Sequence, residues 1–238
     1  MAKGRADARR AVNPLVSRAY RYGIVLILLF CTFLVLASGL EGDWVRLLSV
    51  ALQGTTLLAV LHASQVSRRI RRIAGVAVLL AVIPAFGSVL FGSGSVASGV
   101  PVLLSVLLVA SAPYVIARAL WRRQIVDIHT VLGAICIYVL LGMLFAFVYE
   151  AIGTFSSTDF FVQTHTPGTA DYLYFSFVTQ TTVGYGDFTA ATHFGRALAV
   201  LEALFGQIYL VTVVSLLVSR LVRRPADHTT SEPPDRDQ

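Results

Sequence analysis

Apolar residues gather into six runs, at about 23–40, 47–66, 73–91, 96–117, 131–149 and 197–219. Each holds roughly 18 to 23 residues and, at about 1.5 Å per residue, reaches about 27–35 Å, enough to cross the hydrocarbon core of a bilayer. The polar positions between them alternate in kind. Lys3, Arg5, Arg9, Arg10, Arg18 and Arg21 precede the first run, and Arg68, Arg69, Arg71 and Arg72 separate the second from the third. Arg118, Arg122 and Arg123 follow the fourth, and Arg220, Arg223, Arg224 and Arg236 follow the sixth. Thus 17 of the 19 basic residues lie on alternate sides of successive runs, and only Arg46 and Arg196 fall on the other face. Cytoplasmic loops carry that excess of positive charge, so the pattern predicts six spans with both termini inside.

Composition narrows the class further. Hydrophobic residues make up 56% of the 238, charged residues only 13%, and mean hydropathy is +0.73. A soluble domain carries about twice that charge fraction, so the chain reads as all-α integral membrane. The net charge of +6 is explained by the loop clusters, which serve as topology anchors and lipid head-group contacts rather than as a nucleic-acid patch. One lysine against 18 arginines hints at a GC-rich bacterial genome. The basic stretch, first run and "VLASG" also fit a signal peptide, but the run is long for one and is read as a span. Cys31 and Cys136 both fall within apolar runs and read as small core residues, not a disulfide. His62, inside the second run, reads as a bundle histidine.

The connection between the fifth and sixth runs, about 150–195, is different from the rest. It opens with the polar, acidic "EAIGTFSSTDFFVQTHTPGTA" and then gives "DYLYFSFVTQT", too short to cross a bilayer but long enough for three helical turns. Asp171, after "TPGTA", suits a helix N-terminus. The segment "TVGYGDF" follows. A short helix entering from outside and returning through irregular backbone is a re-entrant loop, tolerable at that depth only where protein buries it or it lines a water-filled path.

"TTVGYGD" resembles the signature filter of potassium channels, for which TVGYG is the standard example. The resemblance implies that potassium exchanges its water for the backbone carbonyls of Thr182, Val183, Gly184 and Tyr185, with the Thr182 hydroxyl at the inner end. Gly184 and Gly186 would supply backbone conformations that other residues avoid. Val183 and Tyr185 would point away from the path and wedge the filter against the short helix. Asp187 would concentrate cations at the outer mouth, or act as a turn residue bonding nearby backbone. Thr179 and Thr181 would support the filter from the pore helix, whose partly negative C-terminal end would favour a cation below it. The family's plan further implies a homotetramer, since one chain offers one filter strand.

The likeness to pore modules covers about 131–221. In "FGRALAVLEALFGQIYLV", Gly206 matches the family's inner-helix hinge, although a small residue for close helix packing is the competing reading. Gln207, Leu210, Val214 and Val218 share one face and are expected to line the inner cavity, the last three as an apolar constriction. There are departures: Tyr174 and Phe175 replace the family's frequent tryptophan pair, and Val178 stands where some relatives carry a glutamate. Both put the bracing of the filter in question. Glu202, an intramembrane acid, is expected to brace the pore helix through Thr179 or Gln180, with a protonatable gating group as the rival.

The first four runs contain no regularly spaced arginines, so the voltage-sensor pattern of six-span channels is absent and steep voltage gating is not expected. The sequence therefore divides into a basic N-terminus (1–22), a four-span peripheral bundle (23–117), an amphipathic cytoplasmic linker (118–130), a two-span pore domain with re-entrant helix and filter (131–221), and a Pro-rich tail (222–238), too short for a soluble ligand-sensing domain. No internal repeat supports a transporter, and no convergent polar set supports an enzyme. The expectation is a potassium-selective channel in the cell membrane, with a weakly selective cation channel as the alternative. Its partners would be lipid and three further copies of itself, and it would need no cofactor beyond potassium as permeant ligand.

Overall fold

The computed structural model describes residues 23–40, 42–63, 69, 72, 75–76, 78–79, 95–121, 128–215 and 219. Among the described residues six helices are seen: α1 (Gly23–Ala37), α2 (Asp43–Ala63), α3 (Ser95–Trp121), α4 (Ile128–Phe155), α5 (Thr169–Gln180) and α6 (His193–Tyr209). The last continues as a π-helical turn over Leu210–Val214. Among the described residues β structure is limited to an isolated bridge between Phe161 and Ala190. Helices therefore occupy five of the six apolar runs, while most of the third run lies outside the described residues. Val131–Phe155 and His193–Val213 are long and apolar enough to cross a membrane; the apolar parts of α1, α2 and α3 are shorter.

One core joins the early helices to the pore region. Helix α4 buries Cys136, Ile137, Leu140, Met143, Ala146 and Phe147, a stripe at helical spacing. Against it pack Val25, Leu29 and Leu36 of α1, Val50, Leu57, Val60 and Leu61 of α2, Val109, Ala112 and Ile116 of α3, and Leu173 of α5. The Phe33 ring of α1 meets Phe177 of α5 edge-on, with centroids 5.0 Å apart. Helix α1 thus touches the short helix directly. Two expectations about this bundle are corrected. Cys136 is buried but Cys31 is exposed, and His62 in the last turn of α2 is exposed as well. Both sit beside, not on, the stripe their helix turns inward.

The linker expected at 118–130 is largely absorbed at its ends. Helix α3 runs through Trp121 and α4 begins at Ile128, leaving 122–127 outside the described residues. Helix α5 starts two residues before Asp171, which is its third residue; the Asp171 carboxylate accepts from Gly168 N at 2.9 Å, a cap that satisfies an otherwise orphaned donor. Thr192 caps α6 by accepting from Gly195 N at 3.0 Å.

Candidate ion pathway

Between α5 and α6 the chain makes its irregular return, and three alternate residues carry positive φ: Thr182 (59°), Gly184 (56°) and Gly186 (80°). Val183 and Tyr185 between them do not. Alternating left- and right-handed backbone is the condition under which successive carbonyls can face one side of an extended strand, and glycine reaches it without steric cost. A Cβ added at Gly184 or Gly186 would meet nothing within 4 Å. The glycines serve conformation, not space. Thr182 is the costly member, because positive φ in a β-branched residue is an outlier of about 1–3 kcal/mol. It is held at both ends: its N–H donates to Thr179 O at 2.9 Å, and its Oγ1 accepts from Gln207 Nε2 of α6 at 3.2 Å.

The end of α5 anchors the strand. Thr181 Oγ1 donates to Phe177 O at 2.6 Å, and Val178 O accepts from both Val183 N (3.0 Å) and Gly184 N (3.3 Å). Position 178 therefore supports the return through its backbone, whatever its side chain. Residues 181–187 are all exposed in the single chain.

The outer end is braced by aromatic side chains. Tyr174 donates its hydroxyl to Asp187 Oδ2 at 2.7 Å, and its ring lies parallel to that of Tyr185, centroids 6.4 Å apart. Tyr185 thus stacks on α5 through Tyr174, whereas the Val183 side chain is 52% exposed in the single chain. Phe175 turns the other way, into a cluster with Tyr149, Phe160, Phe161 and Tyr172. Gln163 fastens the strand after the filter by donating to Thr189 Oγ1 at 2.8 Å and accepting from Thr189 N at 2.9 Å. Arg196 Nε donates to Ala190 O at 2.9 Å.

Behind the return lies a buried polar layer. Glu202, 1% exposed, meets Tyr149 Oη at 2.6 Å and Ser176 Oγ at 2.5 Å, so its partners are Tyr149 and Ser176 and not Thr179 or Gln180. From that depth on α6 its carboxyl faces the middle of α5, one turn before the helix end. Gln180 instead donates Nε2 to Tyr138 O at 2.9 Å. Gly206 is buried, and a Cβ there would lie 2.5 Å from Gln180 O, the close approach of backbones that small residues permit. The break in helical regularity comes one turn later, over Leu210–Val214, where Thr212 Oγ1 donates to Ile208 O at 2.5 Å. Such back-bonding competes with the helix's own ladder, and π turns inside α-helices gather at functional sites. Tyr209, just above it, donates to Ala134 O of α4 at 2.7 Å.

Of the residues expected to line the inner cavity, Gln207 and Leu210 are exposed in the single chain. Val214 ends the π turn, and Val218 lies outside the described residues. Sequence reasoning missed Ser176, Tyr149 and Gln163, polar groups in otherwise apolar or loop surroundings whose partners are distant in the chain. Among the described residues no group of three His, Cys, Asp or Glu could hold a metal ion. The oxygen-rich element here is the backbone of the return itself.

Residues 133–223 match the ion channel family. The matched stretch runs from the second turn of α4 past the π turn, so it contains α5, the irregular return and α6 together. Searches of curated proteins and of solved structures returned no match for the chain. The ion channel segment is thus the part of the chain with a recognised likeness, and it coincides with the geometry just described. The matched family is one of channels, not of enzymes.

Proposed function

We propose that the chain is one subunit of a potassium-selective channel, in which four copies place their 182–186 strands around one axis. The observation that carries this reading is the alternation of positive φ at 182, 184 and 186 within the sequence TVGYG. A narrow path must replace the hydration shell of potassium with oxygens, and rows of backbone carbonyls do so. The Thr182 hydroxyl closes the inner end, Asp187 holds negative charge at the outer mouth, and α5 points its C-terminal carbonyls toward the cavity below. The Tyr174–Asp187 bond performs the bracing that the replaced tryptophans left in question, which favours selectivity over the weakly selective alternative.

Four copies would also cover what one leaves bare. Half of the most apolar stretch of α4 is buried within the chain but only 11% of that of α6 and the π turn, and Phe194, Val200, Leu204 and Phe205 on α6 and Val211 in the π turn are each more than half exposed. Lipid and neighbouring subunits are the natural cover for such faces. Gly206 acts as a packing residue against α5, and the π turn interrupts the regular inner helix one turn further on. The reading is tested by reconstituting purified protein in lipid vesicles and following potassium and sodium uptake separately. Potassium uptake far above sodium uptake is expected, from particles whose native mass corresponds to four chains; equal uptake of the two ions would overturn it.

A further inference from the structure

Five oxygens on three helices meet behind the return. Ser176 Oγ of α5 lies 2.6 Å from Gly142 O of α4 and 2.5 Å from Glu202 Oε1 of α6. Tyr149 Oη of α4 lies 2.6 Å from Glu202 Oε2. Ser176 and Tyr149 are 0% exposed and Glu202 1%, so water cannot mediate. Oxygens this close need a hydrogen between them, and the site can be counted. A serine hydroxyl has one hydrogen, a tyrosine hydroxyl one, and a backbone carbonyl none.

If Glu202 were ionised, the Ser176 and Tyr149 hydrogens would both go to the carboxylate. Ser176 Oγ and Gly142 O would then face each other at 2.6 Å with no hydrogen between. If Glu202 carries a proton, the count closes: Glu202 Oε1–H donates to Ser176 Oγ, Ser176 Oγ–H to Gly142 O, and Tyr149 Oη–H to Glu202 Oε2. Three contacts receive three hydrogens. The surroundings agree. The ionisable groups facing Glu202 from α4 are Tyr149 and Tyr138, both acidic when they titrate. On α5 the acid Asp171 is engaged at the opposite end of the helix in its cap, and on α6 itself Arg196 is engaged with Ala190 O. Among the described residues no Lys, Arg or His pairs with the carboxyl, and an isolated buried carboxylate is far costlier than a neutral acid.

We propose that Glu202 is held as a neutral carboxylic acid whose proton completes a relay, Tyr149 to Glu202 to Ser176 to Gly142, that locks outer, pore and inner helices together behind the filter. Glu202 is on this account a positioning residue, and its role rests on the reading of 169–187 as the filter loop. The test is infrared spectroscopy of the purified protein in lipid at neutral pH. A protonated-carboxyl C=O band is expected, absent from Glu202→Gln and shifted upward in frequency in Tyr149→Phe, which removes the hydrogen bond to that C=O. The amide of Glu202→Gln can donate to Ser176 and accept from Tyr149, so this variant should keep the thermal stability that Glu202→Ala loses. A spectrum without the band, a band unchanged by both substitutions, or a Gln variant as unstable as the Ala variant would overturn the proposal. Because the band is read whether or not ions pass, its absence would leave the potassium reading standing, and failed potassium selectivity would leave the band unaffected.

Discussion

On its open side the pore loop is backbone: residues 181–187 are exposed, three of them at positive φ, and few side chains touch the strand. On its rear side Ser176, Gln180 and Glu202 are all at or below 1% exposure, and side chains make the connections to α4 and α6. The two sides fail in different ways. The open side depends on conformation: at 184 and 186 a Cβ would restrict φ, although there is room for one. The rear side has ordinary helical backbone and no room. Strain is concentrated on the strand proposed to bind ions, and it persists because the rear is over-determined by packing and hydrogen bonds.

The sharpest way to break this contrast is to add the same methyl group to each side. Gly184→Ala meets no atoms but must hold a left-handed conformation, at a cost of about 1–2 kcal/mol per residue, repeated in each of the four proposed subunits. Potassium flux should be lost or its selectivity deranged, because the exposed strand relieves that cost by leaving the left-handed conformation, and for the same reason the melting temperature of the protein changes little. Gly206→Ala should do the reverse. Its Cβ would press on Gln180 O, and overpacking of that kind costs about 1–3 kcal/mol, read as a lower melting temperature in detergent. If Gly184→Ala conducted normally, or Gly206→Ala melted like the parent, the division between the two sides would be wrong.

A smaller effect sharpens the boundary between them. Tyr174→Phe keeps the stacked ring but removes the hydrogen bond to Asp187. That bond is exposed, so the effect is modest, and the potassium-to-sodium permeability ratio should fall by less than about tenfold. No change in the ratio would show that the stacked ring alone supports the outer mouth.

The filter side was legible in the sequence because there residue type dictates conformation directly: glycines at 184 and 186 announce positive φ. Thr182 was not legible in that respect, since a β-branched residue argues against the conformation it adopts, and only its bonds to Thr179 and Gln207 account for it. On the rear side Glu202 was visible as an acid inside an apolar run. Its partners were not, being 26 and 53 positions away in the chain. The same limit applies to Cys31 and His62: an apolar run shows that a helix is present without showing which face turns inward. The π turn escaped for another reason. Its local signal is one threonine, Thr212, that bonds back to the preceding turn, and such threonines are common in regular helices.

The central claim is that the 182–186 backbone, and not a ring of side-chain charge, selects the ion. Single-channel recording with potassium on one side of a bilayer and sodium on the other tests it most directly. The account predicts a reversal potential displaced far toward that of potassium, and kept there when the outer-mouth charge is neutralised by Asp187→Asn. A reversal near zero in the unaltered protein would contradict it, as would a displacement that vanished with the Asp187 charge.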